Sequence, residues 1–323
     1  MKKILYIVAS TFILWGCSSA PSVETDSIKV IESPNGKLKM TFLLTSDGRP
    51  QYLLDYENKP VILQSNLGFE LRGVLTSQKI NYHNDGTITK SDREPCNSLY
   101  DGFSIESVDT ISVDETWKPV WGEEEIIRNN YNELLVNMVQ FSTGRKMAIR
   151  FRIFNDGLGF RYEFPYQKDL SYFVIKGEIT EFSLTGDHTA WWIPGDYDTQ
   201  EDNYTASRLS EINSKFREAV WGNDSQTPFS INGVQTSLQM KTDEGLYINI
   251  HEAALIDYPC MHLDLDPKTF TFVAHLTPDA QGWKGRMQTP CHTPWRTIQV
   301  ASSATEQLAS RLILNLNDPC AIE

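Results

Sequence analysis

Regular alternation of apolar and polar residues is the feature of this sequence that most limits its fold. Residues 38–44 carry Leu, Met, Phe and Leu at every second position, and residues 147–153 repeat the pattern with two arginines between the apolar positions. A period of two places successive side chains on opposite faces of a β-strand. We therefore predict strands over residues 38–44, 147–153, 160–164, 246–250, 269–275 and 311–316.

Turn sequences separate these strands, and two stretches are predicted to be helical. Residues 155–157 read Asn-Asp-Gly, a common turn between two strands. Apolar residues recur at helical spacing over residues 205–221, where Glu211 and Lys215 form a favourable i,i+4 pair. A second short helix is predicted over 304–309. Because no Gly-, Ser- or Pro-rich linker divides the chain, we predict an all-β fold, a large β-sandwich with one or two short helices.

The N-terminus has the features of an export signal. Lys2 and Lys3 precede an apolar run that is shorter than the roughly 20 residues of a membrane-spanning helix. The run ends in Leu-Trp-Gly-Cys, which resembles a bacterial lipoprotein cleavage box, although ordinary signal cleavage stays an alternative. We therefore expect a signal peptide at 1–16, a lipid on Cys17, a tether at 17–27 and a periplasmic protein anchored at the outer membrane.

Charge and length restrict the classes of function. The chain has 323 residues, with 29 Lys and Arg against 42 Asp and Glu, and its net charge of −13 would repel a phosphate backbone. We therefore expect no nucleic-acid partner. A neutral or cationic ligand fits this charge, and so does a metal ion held by carboxylates. The length suits one large domain or two modest ones.

Four cysteines remain after Cys17, and their spacing does not define a site. They are Cys96, Cys260, Cys291 and Cys320, without a CxxC pair. Export exposes them to an oxidising compartment, and four cysteines allow three disulfide connectivities, among which the sequence does not choose. In a domain of this size we expect free buried thiols and no zinc site.

Residues 191–204 are the segment richest in possible chemistry. Aromatic rings beside carboxylates and amides are typical of sugar binding, although Trp-Trp before Pro-Gly also suits a core anchor at the end of a strand. Asp196, Asp198, Glu201 and Asp202 offer oxygen ligands for Ca²⁺, but their spacing is not that of an EF-hand, and a solvated acidic turn is the alternative. Spacing alone establishes no catalytic constellation.

Several longer runs of this sequence resemble glycoside hydrolase family 97. The runs are YDGF (100–103), ETW (115–117), PVWGEE (119–124), FNDGLGFRYEF (154–164), WIPGDYDTQE (192–201), LSEI (209–212) and TPWRTI (293–298). The resemblance implies an N-terminal β-super-sandwich of galactose-mutarotase-like fold, followed in the family by a catalytic (β/α)₈ barrel and a C-terminal β domain. It places the N-terminal domain at 28–318 and the start of a linker at 319–323, with the barrel absent.

The resemblance also implies roles for particular residues. In the family, the N-terminal domain contributes one Glu to a Ca²⁺ site, and this position falls on Glu201. A substrate-contact loop falls on Gly222, Asn223 and Asp224, of which only Asn223 keeps the expected residue type. The catalytic carboxylates and the remaining Ca²⁺ ligands lie in the barrel, so no catalytic residue is assigned to this chain.

Three functions remain open at this point. The first is the N-terminal domain of an exported α-glucosidase that acts on starch-derived α-gluco-oligosaccharides, inactive alone and normally joined to its barrel. The second is a free-standing carbohydrate-binding lipoprotein. The third is a mutarotase-like enzyme on the same fold, which requires a His/Glu pair in one cleft.

Overall fold

Two large antiparallel sheets contain most of the strands. The computed structural model describes residues 27–72, 79–82, 88–91, 97–220, 222 and 227–320. The first sheet has eight strands, in the spatial order β1 (Ile28–Glu32), β2 (Leu38–Leu44), β3 (Pro50–Tyr56), β4 (Lys59–Asn66), β14 (Glu181–Leu184), β21 (Thr271–Leu276), β20 (Met261–Asp266) and β17 (Gly233–Gln235).

The second sheet has ten strands and contains the longest hairpin of the described residues. Its order is β16 (Thr205–Arg208), β15 (Thr189–Trp192), β18 (Leu238–Lys241), β19 (Tyr247–Ala253), β24 (Trp295–Ala301), β12 (Gly157–Phe164), β11 (Lys146–Phe154), β10 (Ile127–Gln140) and β9 (Phe103–Trp117), with β23 (Cys291–His292) beside β12. Two smaller sheets complete the strands. They are β22 (Arg286–Gln288), β13 (Tyr172–Glu178), β5 (Phe69–Leu71) and β8 (Ser98–Leu99), and the pair β6 (Lys79–Tyr82) and β7 (Ile88–Ser91).

Aromatic side chains join the two large sheets across one core. Phe160 on β12 lies 5.0 Å from the ring centre of Tyr52 on β3 and 6.4 Å from that of Phe182 on β14. Phe42 on β2 meets Phe151 on β11 at 6.0 Å. All five rings are buried, and fully burying such a side chain contributes about 1.5–3 kcal/mol. The strands predicted from alternation therefore face each other, and the predicted β-sandwich is confirmed.

The outer face of the larger sheet explains the arginines between the apolar positions of β11. Arg150 donates from Nε to Glu163 at 2.7 Å, and Arg161 forms an ion pair with the same carboxylate at 2.8 Å. Arg152 and Arg161 lie over the Trp295 ring, 4.9 and 4.6 Å from its centre. Paired charges and cation–π contacts thus allow these side chains to be half-buried.

The strand predicted over residues 311–316 is wrong, because this segment is helical. Helix α3 spans Leu312–Leu316 and buries its first and last residues, which lie on one face at an i,i+4 separation. Leu316 packs where a side chain at Gly159 would otherwise lie, so the missing Cβ makes room for the helix. Leucines at positions 312, 314 and 316 fit either period, and Leu314, which is 46% exposed, is the one that the helix leaves outside.

The helix predicted over residues 205–221 is right only in its second half. Residues 205–208 form β16, which pairs with β15 at the edge of the sheet, and a short 3-10 turn at Leu209–Glu211 follows. Helix α1 then spans Ile212–Ala219 and buries Phe216, and Glu211 pairs with Lys215 at 3.3 Å as predicted. Helix α2 at Ala304–Leu308 agrees with the second predicted helix. Within the described residues, no helix has the length and apolarity needed to cross a membrane.

The cysteine expectation holds only in part. Cys260 and Cys291 are free and half-buried, and burial raises the pKa of their thiols to about 12 and about 11. Cys320 is exposed, contrary to the expectation of buried cysteines, and Cys96 lies outside the described residues. In the described ranges, no group of three or more His, Cys, Asp or Glu is arranged to hold a metal ion.

Candidate functional site

The two tryptophans that begin the polar segment have different environments. Trp192 is fully buried, donates from Nε1 to Ser207 Oγ at 2.9 Å and stacks on Phe216 of α1. Its neighbour Trp191 points to the opposite face of β15 and is only half-buried. The structural interpretation of the pair therefore holds for Trp192, which anchors the strand just before the chain leaves the sheet.

Asp196 fixes the turn that follows β15. Its Oδ1 accepts from the backbone N–H groups of Asp198 and Thr199, at 2.8 and 3.2 Å. Its Oδ2 accepts from the backbone N–H of Thr227 at 2.6 Å, which ties this turn to a segment 31 residues later. Asp196 is 5% exposed. Asp196 is therefore a buried, structural carboxylate of this turn and not part of a solvated acidic turn, and its oxygens accept hydrogen bonds from within the protein.

A stack of aromatic and imidazole rings packs against the turn that Asp196 fixes. Phe229 lies parallel to the His275 ring with 4.1 Å between ring centres, and a 2.6 Å hydrogen bond joins the Tyr197 hydroxyl to His275 Nε2. His262 Nε2 donates to the backbone oxygen of Asp196 at 2.8 Å. Burial lowers the pKa of His275 to about 4, and the nearby positive charge of Lys284 contributes. The imidazole is therefore neutral at physiological pH.

The His275 environment predicts a pH-dependent stability. An unfolded histidine titrates near pH 6.5, so acid protonates the unfolded chain before the folded one. The stabilisation should be complete above pH 6.5 and be lost as the pH falls towards about 4. In urea unfolding, a His275→Phe variant, which keeps a planar ring beside Phe229, should show a smaller midpoint difference between pH 7.5 and pH 5. Changing the exposed His292 to Phe is the matched control, and equal differences in both variants would contradict this assignment.

Glu201 lies at the exposed end of the same turn. Its backbone N–H donates to Thr199 Oγ1 at 3.1 Å, and among the described residues no side chain pairs with its carboxylate. An exposed carboxylate at the end of a fixed turn fits the oxygen chemistry of Ca²⁺, which takes six to eight such ligands. Glu201 would supply only one of them, so the fit is to a site completed by other groups, and its metal role stays a prediction.

The other predicted site residues are only partly described. Gly222 is exposed and follows α1, whereas Asn223, Asp224 and the lipidation residue Cys17 lie outside the described residues. The chain is described again from Thr227, whose backbone N–H and hydroxyl both bond to Asp196. The structure therefore brings Thr227, three residues after the predicted substrate loop, to the turn that carries Glu201.

A cavity of about 650 Å³ is lined in part by the turn that follows β15. Residues 196–200 form one wall, and residues 257–260, 277–279 and 285–286 form the others, with Gln235, His262 and Trp283 between them. The Trp283 ring is covered by the guanidinium groups of Arg72 and Arg286, which lie 5.0 and 4.2 Å from its centre. Sequence reasoning missed this cavity, because its walls come from four separate parts of the chain.

A fully buried ionic network lies behind the cavity. Arg296 donates from Nε and Nη2 to the two oxygens of Glu178, at 2.8 and 2.6 Å, and from Nη1 to Glu252 at 2.6 Å. The Tyr258 hydroxyl donates to Glu178 at 3.0 Å, and the backbone N–H of Met261 donates to Glu252. Arg296 has no exposed surface. The signal that sequence reasoning passed over is an arginine at the second position of β24, between Trp295 and Thr297.

The two large sheets, the short helices and the polar turn beyond β15 define a large β-sandwich domain. Residues 31–319 match the family described as Glycosyl-hydrolase 97 N-terminal. The chain therefore belongs to glycoside hydrolase family 97, in which it corresponds to the N-terminal domain.

Solved structures agree with this assignment. A family 97 enzyme from Pseudoalteromonas sp. strain K8, in complex with acarbose, is 31% identical, with a TM-score of 0.72. A variant in complex with panose matches equally well. Each match covers 91% of this chain and 38% of the other, so this chain spans well under half of their length. A β-arabinopyranosidase, 17% identical over 85% of this chain and 40% of its own with a TM-score of 0.65, shares the fold.

Proposed function

We propose that this chain is the N-terminal domain of an exported family 97 α-glucosidase that acts on α-gluco-oligosaccharides. The observation that carries the proposal is the 31% identity, over 91% of the chain, to an enzyme solved with acarbose and panose. Panose is built of α-linked glucose units. The proposal includes export and a lipid anchor at Cys17, for which the support is the charged and apolar N-terminal sequence.

In the proposed enzyme, Glu201 is this domain's ligand for a Ca²⁺ ion shared with the catalytic domain. Support comes from the exposed carboxylate and from the turn behind it, which Asp196 holds with four hydrogen bonds. The bound ion would supply positive charge at the active centre. Residues 222–224 would contact the sugar, and the bonds from Thr227 to Asp196 tie the chain to the turn of Glu201 three residues after that loop.

The proposal assigns the catalytic carboxylates to the part of the relatives that this chain does not match. We therefore expect the purified chain to show no turnover of maltose or p-nitrophenyl α-glucoside above the rate of buffer alone. A family 97 enzyme assayed in parallel is the positive control. Turnover that elutes with the chain in gel filtration and is lost on Glu201→Gln would contradict the proposal that the catalytic carboxylates lie outside the matched part of the relatives.

A further inference from the structure

The cavity behind the Glu201 turn has the size and lining of a small-molecule site. Its volume of about 650 Å³ is within the range of ligand pockets, roughly 300–1,000 Å³. Neither Glu201 nor Gly222 nor Thr227 is among the described residues that line it. Within the described part of the chain, the cavity and the turn that carries Glu201 share the wall formed by residues 196–200.

The rear of the cavity is held rigidly. Tyr258 lines it, and its hydroxyl is bonded to Glu178, which Arg296 holds by two further bonds. The Arg296 guanidinium lies 5.5 Å from the centre of the Tyr258 ring. Because Glu178 and Arg296 have no exposed surface at their side chains, the ring is fixed before any ligand arrives. A preformed wall reduces the ordering cost of binding.

The charges of the lining disfavour anions. Among the described residues that line the cavity, the carboxylates are Asp196, Asp198, Asp257 and Asp279, and the one Lys or Arg is Arg286, which already pairs with Asp279 at 2.8 Å. A phosphate or carboxylate ligand would meet more negative than positive charge. A neutral ligand with several hydroxyl groups can instead donate hydrogen bonds to carboxylates.

Gln235, a buried residue of the cavity wall, has a side-chain oxygen that lacks a hydrogen-bond donor among the described residues. Gln235 is 1% exposed, and its Nε2 donates to the Thr199 backbone oxygen at 2.6 Å. Its Oε1 is buried and has no hydrogen-bond partner among the described residues. A buried acceptor without a donor is costly, and a ligand hydroxyl would satisfy it after a small side-chain movement. Tyr258, Pro259 and Pro278 add apolar surface of the kind that the C–H face of a pyranose ring contacts.

We propose that this cavity binds one pyranose ring of a neutral sugar, at a site that is independent of Glu201. A ligand of this size binds weakly, with a dissociation constant on the order of 1–10 mM. The site would hold a carbohydrate chain on this domain at a distance from the residues that contact the reacting sugar. It does not depend on the α-glucosidase proposal, because only hydroxyl groups and an apolar ring face are recognised.

The test is an NMR titration of the ¹⁵N-labelled chain with methyl α-D-glucopyranoside to 100 mM. We expect saturable shifts at residues 198–200 and 257–260. Gln235→Leu should weaken binding by about two- to tenfold, as expected for one neutral hydrogen bond. Asp257→Asn should also weaken it at least about threefold, and this variant is expected to fold because Asn tolerates the φ of 50° at that position. Glu201→Gln should bind as the wild type does.

The opposite outcomes are clear in the same experiment. Shifts that rise linearly to 100 mM would overturn the proposal, as would equal affinities of the wild type and both wall variants. An equal loss of affinity in Glu201→Gln would show that sugar binding in the cavity depends on the proposed calcium ligand, and would overturn the claim that the two sites are independent. Saturation by methylammonium chloride but not by the glucoside would assign a cation site instead.

Discussion

Replacing Arg296 by methionine is expected to lower the free energy of unfolding by about 3–5 kcal/mol, because it leaves buried carboxylates without their counter-charge. Glu178 has no exposed side-chain surface and Glu252 has 4%, so water cannot replace the guanidinium in the folded state. Methionine keeps an unbranched stem but has no guanidinium, so the loss should come mainly from the uncompensated charge, with a smaller part from the space left empty.

Urea unfolding followed by circular dichroism measures this effect, and Arg128→Met is the matched control. Arg128 also donates two hydrogen bonds to one carboxylate, Asp114, each 2.8 Å long, but both side chains are mostly exposed. Exposed pairs contribute little, so the control should unfold at nearly the wild-type urea concentration. If Arg296→Met does not fold, Arg296→Lys, which keeps the charge but loses the paired geometry, should fold with reduced stability. Wild-type stability of Arg296→Met would contradict the assigned role.

The alternation in the sequence predicted the sandwich because local pattern and tertiary burial agree along most strands. Residues 38–44 are buried at every second position, as β2 of a sheet with one face on the core requires. Residues 312–316 show where this logic fails. Their leucines satisfy both periods, and the deciding contact is with Gly159, far away in the sequence. Residues 205–208 fail similarly, since pairing with β15 outweighs their helical spacing.

The polar sites were predictable only where the interacting residues lie close together in the sequence. The sequence identified the acidic turn, but Asp196 could not be separated from Glu201 without Thr227, which lies 31 residues from Asp196 and engages its oxygens. The Arg296 network depends on Glu178, which is 118 residues away in the chain. No spacing rule connects such partners. The prediction for Glu201 rested on the family resemblance, and its exposed position at the end of the turn is compatible with that role.

The second large effect is expected for Glu201→Gln in a complete enzyme. Residues 31–319 would replace the matching part of the Pseudoalteromonas family 97 enzyme, which is 31% identical over 91% of this chain. The amide keeps the size of the side chain but removes the negative charge that attracts Ca²⁺. The calcium concentration for half-maximal activity should therefore rise about 10–100-fold, the range seen when residues that support a metal ion are changed.

The central claim, that Glu201 completes a calcium site in an α-glucosidase, is tested most directly by this calcium titration. Hydrolysis of p-nitrophenyl α-glucoside by the chimera would be followed as Ca²⁺ is added back after chelation. Glu218→Gln, the same change at an exposed position of α1, is the control and should behave as the unmodified chimera. The calcium requirement should rise only in Glu201→Gln. Identical calcium curves for the two variants, or a folded chimera without activity, would contradict it.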